Sequence, residues 1–566
     1  MALLSFILTS LLLSTFSLAT PTPPAHRDGG LVGFPPYNHH GILCGLPIPI
    51  VQKLLCPRQG SPSLAVNTPL GTAHGAADGT TAIRFAVKYA DVQRWQESTV
   101  ATNWTLPNGS TDPTALPLAC VQDDIDDSAM SEDCLSMILY VPTSINVNSK
   151  APTMVWIHGG SFVVGSATGP GLDGSNLAAA TNSIVAVIQY RLGVLGFFPP
   201  NGDTNLGVKD AINSLKFLQN VIPSFGGDAS QITVAGQSAG ASLIRALLSI
   251  PSASSLFKSA IIQSDTMDYG FLSTTTQETL FNYFAEQIPC SSTSDTACWD
   301  ALTVDQIVAA QDDLADAAFG LDASAGQAEP IRPVTDGTLI TTTLDSSTPF
   351  PAVSKSLLVS TVHHEAGFTI YGGFSSALDP TTYAEFVASS FNTTIADQLL
   401  ANQNYAVPAS DEGNANADVR PQLEQMGTDQ VWRCPTWTFA RSWTEHGGKV
   451  YLGEYMVGAS YPGNGEVPFC TESGIVCHQD DIEIVFGTVP SPSAAQSNLT
   501  KEIQARYSSF LRSGIPNAFG YANWPLSTTS DVHAIQLGGS GEAPVGACDP
   551  TFWGDAIPYD YQTFDI

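Results

Sequence analysis

The chain has few basic residues, and this shortage excludes several classes of function. It carries 21 lysines and arginines against 52 aspartates and glutamates, a formal net charge of −31 over 566 residues. So acidic a surface repels nucleic acids and anionic membranes and suits neutral or hydrophobic partners. The sequence also lacks an internal repeat, a basic run and a glycine-rich phosphate-binding motif with a lysine. With 43% hydrophobic residues, the chain can bury a large core, and one large domain with insertions is expected.

Metal ligands and long apolar segments are also scarce. Cysteine and histidine do not recur at the spacings of zinc sites, so we expect no metal and no cofactor. Residues 1–19 have an apolar core and end in small residues before a proline-rich stretch, the pattern of a secretory signal peptide. That core is too short for a comfortable membrane span, and no other segment is apolar for longer. The sequence therefore predicts a secreted, extracellular protein without a membrane anchor.

Export has two further consequences for this chain. Ten cysteines in an exported protein predict disulfide bonds. We expect Cys44 and Cys56 to pair locally within an N-terminal extension, residues 20–63, and Cys470 and Cys477 to close a loop directly before His478. Four N-x-S/T sequences predict N-glycosylation, at Asn103, Asn108, Asn392 and Asn498.

The most informative segment spans residues 232–240, Ile-Thr-Val-Ala-Gly-Gln-Ser-Ala-Gly. A short β-branched run precedes G-x-S-x-G (Gly236, Ser238, Gly240), and a helix-forming stretch, 241–248, follows it. This is the strand–turn–helix setting of a nucleophile elbow, in which a sharp turn exposes the serine hydroxyl. Strand and helix approach so closely that the residues two before and two after the serine have to be glycine. The pattern predicts a nucleophilic serine.

A serine nucleophile needs a base, and the base needs an acid that orients it. In the fold that carries this elbow, the chain order is serine, then aspartate or glutamate, then histidine. Five histidines follow the serine: His363, His364, His446, His478 and His533. His478 stands just before an apolar run, whereas His363 and His364 lie beside Glu365. The pattern alone leaves the base open between these two loops.

Several separated motifs occur in the order found in one family. They are Glu132-Asp133-Cys134-Leu135, Trp156-Ile157-His158-Gly159-Gly160-Ser161-Phe162, Tyr190-Arg191-Leu192-Gly193, Asn205-Leu206-Gly207, Phe225-Gly226-Gly227-Asp228, Gln263-Ser264, Asp336-Gly337 and Asn523-Trp524-Pro525. With the elbow, they resemble the type-B carboxylesterase/lipase family, which includes cholinesterases and several fungal lipases. The resemblance runs from about residue 64 to about residue 525. It implies an α/β-hydrolase fold, with a large, mostly parallel sheet flanked by helices and helical cap insertions.

The resemblance also assigns a catalytic triad. Ser238 is similar to the family's nucleophile, Glu365 to its acid and His478 to its histidine. His478 would take the proton from Ser238 and return it to the leaving alcohol, while Glu365 would fix the imidazole tautomer. The loop departs from the family pattern at Ala366, directly before Gly367.

Backbone N–H groups are implied as the oxyanion hole. Ala239 would supply one, and Gly160 and Ser161 of the glycine-rich loop the other two; each such donor is typically worth about 3 kcal/mol of transition-state stabilisation. Ser161 replaces the family's usual last glycine and is expected to narrow the pocket.

The resemblance also implies disulfide pairs. It pairs Cys120 with Cys134 and Cys290 with Cys298, which leaves Cys434 with Cys548 by elimination.

The Cys120–Cys134 loop bears on the substrate. In lipases of this family the equivalent loop is long and forms a lid. Here the intervening segment is short and densely acidic, with no room for an amphipathic helix of several turns. The loop therefore favours an esterase without interfacial activation, although a flap from residues 309–319, which look helical, is an alternative.

Domain organisation follows from these assignments. Residues 64–566 are expected to form one catalytic domain, with sheet strands at 153–157, 184–190, 232–235, 260–263 and 357–361. Insertions at about 265–353 and 380–429 are expected to form a helical cap. The predicted partner is a small ester. Rival functions are a lipase or a hydrolase of sterol, carotenoid or hydroxycinnamate esters, and, more remotely, a non-catalytic adhesion or carrier protein.

Overall fold

The structure is a computed structural model that describes residues 64–123, 125–345 and 347–566. The predicted signal peptide, the extension at 20–63 and the expected Cys44–Cys56 pair lie outside the described residues. None of the described helices is long and apolar enough to cross a membrane.

A ten-stranded sheet organises the described chain. In chain order its strands are β1 (Ala76–Asp78), β2 (Ala82–Lys88), β3 (Ser136–Pro142), β4 (Ala151–Ile157), β5 (Ile184–Ile188), β6 (Gly227–Gln237), β7 (Ser259–Gln263), β8 (Ser356–Val362), β9 (Lys449–Tyr455) and β10 (Ile535–Leu537). Three small ribbons pair Ala65–Thr68 with Gly71–His74, Ala90–Asp91 with Thr99–Val100, and Leu272–Ser273 with Val334–Thr335.

The order of the strands points to the location of a site. Across the sheet it is β10-β9-β8-β7-β6-β4-β5-β3-β2-β1. The strands from β10 to β5 pair in parallel, and β5, β3, β2 and β1 pair antiparallel. Because β4 lies between β5 and β6, the chain leaves β4 to one side and then crosses to the other. Ligands typically bind outside the carboxyl ends of the strands at such a switch point.

Helices cover both faces of the sheet and form the cap. The α-helices are Ser175–Thr181, Gly193–Phe197, Leu206–Val221, Ala239–Leu248, Thr274–Gln287, Thr296–Ala301, Val304–Leu321, Gly367–Gly373, Pro380–Ser390, Thr393–Ala401, Arg420–Gly427, Cys434–Glu445, Ile482–Phe486, Ala494–Ser513 and Asp560–Phe564, with a π-helical turn at Thr428–Arg433.

Strand β4 shows how the sequence builds two cores. All seven of its residues are buried, as expected of a parallel strand covered on both faces. Val155 and Ile157 pack in one hydrophobic cluster with the helices Leu206–Val221 and Ala239–Leu248. Met154 and Trp156, which point the other way, pack in a second cluster with the helix Ala494–Ser513. Alternation along one strand therefore anchors helices on both faces.

The predicted α/β-hydrolase architecture is confirmed, and all five predicted strands are present. Strand β5 ends at Ile188, two residues earlier than expected, because pairing with β4 stops at Ile157–Ile188, where the glycine-rich loop leaves the sheet. Strand β6 begins five residues earlier than expected, across an irregularity in register between Gly227 and Ile232. Within the described residues, each predicted insertion carries three α-helices.

The two segments considered as lids differ from each other. Cys120 is bonded to Cys134, and the described residues between them form only a short 3₁₀ turn, Asp127–Ala129, with no α-helix. The alternative flap at 309–319 lies within the helix Val304–Leu321, whose buried side packs on the helix Thr274–Gln287. Neither segment lines the cavity that contains Ser238.

Candidate active site

Ser238 forms the turn between β6 and the helix Ala239–Leu248. Its φ of +56° and ψ of −131° are unusual for a residue with a side chain, and such conformations typically store about 1–3 kcal/mol of strain. Its N–H donates to the carbonyl of Gln263 at 2.9 Å, which ties the turn to the end of β7. The sequence prediction of a strained serine between strand and helix agrees with this geometry.

The two glycines of the elbow have no room for a side chain. A Cβ at Gly240 would lie 2.2 Å from the carbonyl oxygen of Ile157, and one at Gly236 would lie 2.8 Å from the carbonyl of Gly240. Both contacts are to backbone atoms, which cannot move aside without disturbing β4 or the helix. The close approach of strand and helix therefore requires glycine at both positions.

The three residues expected to supply the oxyanion hole either adjoin Ser238 in the chain or line its cavity. Ala239 begins the helix after the serine, and Gly160 and Ser161 line the same cavity as Ser238. Gly160 has a φ of +111°, and a Cβ there would lie 2.2 Å from the carbonyl oxygen of Val164. Ser161 has a φ of +51°, a left-handed conformation that favours the glycine the family usually has. Serine at this position retains the N–H group, but its backbone is strained because a side chain disfavours this φ.

His478 and Glu365 form a close pair. Nδ1 of His478 lies 2.6 Å from Oε2 of Glu365, whose side chain is fully buried. Oε1 of the same carboxylate accepts the N–H of Val362 at 2.8 Å. Burial alone lowers the pKa of His478, but the hydrogen bond and the charge of Glu365 outweigh it and raise the pKa above its ordinary value. The arrangement favours an imidazole with its proton on Nδ1 that readily accepts a second proton on Nε2.

Nε2 of His478 has a neighbour that the sequence analysis missed. The side-chain amide nitrogen of Gln237 lies 3.1 Å from it, and no described residue forms a hydrogen bond to the hydroxyl of Ser238. Catalytic hydrogen bonds are often long or misaligned without substrate and tighten in the complex. The amide of Gln237 therefore contacts the same imidazole nitrogen that would accept the Ser238 proton.

The other two histidines considered as the base are bound elsewhere. His363 Nδ1 lies 2.7 Å from Oε1 of Glu454, and His364 Nδ1 accepts the N–H of Val476 at 3.2 Å. Burial lowers the pKa of His364 to about 4. Of the histidines that follow Ser238, only His478 lines its cavity among the described residues.

A polar network holds the loop that carries His478. The carboxylate of Asp480 accepts N–H groups from Cys477 and Tyr461, each at 2.8 Å. The side-chain amide of Asn464 donates both to Asp480 and to the carbonyl of His478, again at 2.8 Å. A disulfide joins Cys470 to Cys477, the residue directly before the histidine.

Ser238, Glu365 and His478 line one cavity at the carboxyl ends of the strands. Together with the part open to solvent, it encloses about 750 Å³ of empty space. Its other lining residues are Gly160, Ser161, Thr266, Tyr269, Ala328, Glu329, Phe368, Thr369, Trp432, Gly463, Asn464 and Gln479. A serine on a strained turn, a histidine paired with a buried glutamate, and backbone N–H groups nearby are the kinds of group that acyl transfer requires.

Comparison with known proteins agrees with this geometry. The sequence profile described as "Carboxylesterase family" matches residues 63–546. The chain belongs to the carboxylesterase family. Carboxylesterase 1D of Rattus norvegicus is 28% identical over 450 residues, 75% of this chain and 77% of the relative. Carboxylesterase 3 of Homo sapiens is 27% identical over 538 residues, 86% and 89% of the two chains.

A third relative and a solved structure extend the comparison. The crystal protein of Dictyostelium discoideum is 28% identical over 488 residues, 82% of this chain and 84% of the relative. A solved structure titled PNB esterase superposes with a TM-score of 0.66 at 24% identity, covering 84% of this chain and 95% of that one. At that identity the likeness shows a common fold.

This member of the carboxylesterase family has four disulfides among its described residues. The bonded pairs are Cys120–Cys134, Cys290–Cys298, Cys434–Cys548 and Cys470–Cys477. All four match the pairs expected from the sequence.

Sequence reasoning missed two side chains at this site, Gln237 and Glu329. Gln237 lies inside the G-x-S-x-G motif, which leaves that position unspecified. Glu329 lies in the stretch Gln-Ala-Glu-Pro-Ile-Arg-Pro, where a lone acid between apolar residues was the available signal.

Proposed function

We propose that this protein is a serine carboxylesterase that hydrolyses carboxylic esters through an acyl-enzyme on Ser238. The observation that carries the proposal is the strained serine turn in one cavity with a histidine whose Nδ1 lies 2.6 Å from a buried glutamate. Membership of the carboxylesterase family supports the reaction class.

Each half of the reaction uses the same three side chains. The Ser238 oxygen attacks the ester carbonyl carbon while its proton passes to Nε2 of His478, so the amide of Gln237 has to give up its contact. The tetrahedral oxyanion accepts hydrogen bonds from the N–H groups of Gly160, Ser161 and Ala239. When the carbon–oxygen bond breaks, His478 returns the proton to the leaving alkoxide. Water then attacks the acyl-enzyme by the same route, releasing the acid and restoring the serine.

Glu365 acts through the histidine. Its buried carboxylate keeps the neutral imidazole proton on Nδ1 and stabilises the imidazolium that forms during each transfer.

Substrate class follows from the surroundings of the cavity. The short, acidic Cys120–Cys134 loop leaves the cavity without a lid helix from that segment, and the helix Val304–Leu321 packs away from it. An esterase acting on dissolved esters fits this arrangement better than an interfacially activated lipase.

We further propose that the enzyme is exported. Four disulfides among the described residues are typical of oxidising compartments. The asparagines of the four N-x-S/T sequences, Asn103, Asn108, Asn392 and Asn498, are exposed, so each is reachable by a glycosyltransferase. Mass spectrometry of the secreted protein, before and after glycosidase treatment, tests both points.

The activity test uses p-nitrophenyl esters from acetate to palmitate, measured below and above the solubility limit of the long esters. We expect the highest kcat/KM at short chains with smooth saturation. A maximum at long chains, with the rate rising sharply once an interface forms, would indicate a lipase. Absence of hydrolysis across the series would overturn the proposed function and favour a non-catalytic family member.

A serine-directed fluorophosphonate identifies the nucleophile. We expect a single adduct on the peptide that contains Ser238, and a loss of at least about 10⁴-fold in kcat in Ser238→Ala, because the nucleophile itself is removed. Ser264→Ala is the matched control: this serine is also buried, directly follows the neighbouring strand β7 and has a φ of +51°. Labelling and activity are expected to persist in the control.

A further inference from the structure

Glu329 is a carboxyl group in the substrate cavity that the reaction as proposed does not use. It lines the same cavity as Ser238, and only 6% of its surface is exposed. Ala328, Phe368 and Trp432 line the cavity as well, so its surroundings are largely apolar. Burying a carboxyl group without full hydrogen bonding costs free energy of folding. A glutamate at this position therefore requires a functional explanation.

The hydrogen bonding of Glu329 is incomplete. Oε2 accepts the hydroxyl of Thr266 at 2.7 Å, and no other described residue donates a hydrogen bond to the carboxyl. Glu329 also has a φ of +54°, the left-handed region that side chains rarely adopt. A strained residue thus holds a half-satisfied carboxyl in the cavity.

Arg332 would be an obvious partner, yet it is committed elsewhere. Its two terminal nitrogens donate to four backbone carbonyls, those of Ala325, Glu329, Tyr269 and Ser324. It therefore forms no ion pair with the Glu329 side chain. Burial raises the pKa of Glu329 above its ordinary value, and the nearby charge of Arg332 opposes that rise only in part. The buried cation offsets the charge of Glu329 but leaves its second oxygen free to accept a hydrogen bond.

These contacts define what the position recognises. A free carboxyl oxygen in an apolar cavity is an acceptor for an O–H donor. A cationic group would meet the nearby guanidinium of Arg332, which opposes its binding, whereas a neutral hydroxyl would not.

We propose that Glu329 binds a hydroxyl group of the substrate, so that the enzyme selects hydroxyl-bearing esters over the corresponding alkyl esters. This inference rests on the proposed ester hydrolysis and names the substrate class of the same site. A site built to hydrogen-bond a hydroxyl rejects the analogue that lacks it more strongly than an apolar pocket rejects a change of one methylene.

Four esters of similar size test the proposal. They are propyl butyrate, propyl 3-hydroxybutyrate, 3-hydroxypropyl butyrate and 3-(trimethylammonio)propyl butyrate, hydrolysed in a pH-stat by the full-length enzyme. The second and third esters place the hydroxyl on the acyl side and the alcohol side, and the fourth carries a charge but no donor. We expect one hydroxy ester to exceed propyl butyrate in kcat/KM by at least about tenfold, the size typical of leaving a buried polar group without a hydrogen-bond partner.

Two variants separate hydrogen bonding from packing. In Glu329→Leu the preference is expected to fall to about one, because no acceptor remains. Glu329→Gln keeps the shape and one acceptor oxygen, so an intermediate preference is expected. Thermal unfolding and fluorophosphonate labelling of Ser238 show that each variant retains its fold and elbow, and the glutamine variant carries the test if the leucine variant does not fold.

Three results would overturn the inference. Equal ratios in the parent enzyme and in the variants, with propyl butyrate still hydrolysed, would overturn it and leave the proposed function standing. A preference for the trimethylammonio ester that disappears in both variants would replace hydroxyl recognition by charge recognition. If the parent enzyme hydrolyses none of the four esters, the proposed function fails and the inference fails with it.

Discussion

The turn at Ser238 and the acid–base loops, those that carry the proposed acid Glu365 and the proposed base His478, are held in place in different ways. The turn takes its shape from one continuous segment: β6 ends, Ser238 turns, and the helix Ala239–Leu248 begins. Gly236 and Gly240 permit the approach, and every residue of that helix is buried. Local sequence and close packing together leave the serine little freedom.

The loops that carry Glu365 and His478 depend on distant contacts. A bridge joins His364 to Cys477, although 113 residues separate them in the chain. The N–H of Ala366 donates to the hydroxyl of Thr428, which in turn donates to the buried Glu424. Asp480 and Asn464 hold the loop that carries His478 through their hydrogen bonds to its backbone. Here position comes from side chains contributed by several separate segments.

The difference indicates how each part responds to change. The turn is closely packed, so a single carbon atom added at Gly236 or Gly240 would displace the backbone. The loops carry several independent contacts, so losing one should shift the geometry or the pKa of His478 while the fold persists. Substitutions in the turn should therefore have larger effects than substitutions in the loops.

The largest expected effect is that of Gly240→Ala. The new Cβ would lie 2.2 Å from the carbonyl oxygen of Ile157, so helix and strand have to separate. We expect a loss of about 3 kcal/mol or more in stability and of nearly all activity, measured by thermal unfolding and p-nitrophenyl ester hydrolysis. Gly320→Ala is the control, since no atom lies within 4 Å of a Cβ at this helical glycine. Near-normal stability of Gly240→Ala would show that the turn has more freedom than its geometry implies.

Glu365→Gln is expected to lower kcat/KM about 10³-fold while the fold remains, because the tautomer and the imidazolium lose their partner. Glu365 raises the pKa of His478. The residual activity should therefore extend to lower pH than that of the parent, since the base stays neutral to a lower pH. A pH–rate profile checks this shift.

Glu424→Gln is the matched control for that change. Burial raises the pKa of Glu424 to about 8, so this glutamate is already mostly neutral at pH 7, and the neutral amide replaces a neutral acid. Its activity at pH 7 should stay close to that of the parent. Equal losses in the two variants would mean that Glu365 acts only through packing.

The same contrast explains which parts of the site could be predicted from the sequence. The turn was predictable because the residues that determine it lie within nine positions, 232–240. Two of them, Gly236 and Gly240, are glycines that the close packing requires. The pairing of Glu365 with His478 was not decidable from pattern, since His363 and His364 lie closer to the acid in sequence. Only the family resemblance separated them, and the structure shows why: the chain returns over a long interval to place His478 against Glu365.

Strand positions were predictable from buried β-branched runs, but their ends were not. Strand β5 stops where its neighbour leaves the sheet, a tertiary event with no local signal. Gln237 and Glu329 were missed for a similar reason. Each is a polar residue whose role depends on which cavity its side chain enters, and periodicity carries no information about that.

The disulfide Cys470–Cys477 offers a milder change on the acid–base side. It closes a short loop that ends at Cys477, directly before His478. A Cβ at Gly367 would lie 2.9 Å from the Cys477 sulfur, so the disulfide lies close to the segment that follows Glu365. We expect Cys470→Ser with Cys477→Ser, or mild reduction, to lower kcat several-fold without unfolding, because the loop gains freedom.

A second short disulfide loop provides the control. The cysteines of Cys290–Cys298 are 8 positions apart, against 7 for Cys470–Cys477. Neither of them adjoins a residue that lines the cavity, whereas Cys477 directly precedes His478. Replacing that pair by serines should leave kcat unchanged. Activity unaffected by loss of Cys470–Cys477 would show that the polar network of Asp480 and Asn464 holds the base unaided.

The smallest expected effect, a shift in pH dependence, comes from Gln237, the one residue that belongs to both regions. Its backbone ends β6 and its side chain contacts Nε2 of His478 at 3.1 Å. In Gln237→Glu a carboxylate would face Nε2 and favour the imidazolium, so the pKa of His478 should rise further. Because the base has to be neutral to accept the serine proton, kcat/KM should fall a few-fold at pH 6 and recover above pH 8, with the acid limb moved upward by about one pH unit. If the acid limb of the pH–rate profile does not move, the side chain of residue 237 leaves Nε2 before substrate binds. The turn and the base would then be coupled only through Ser238.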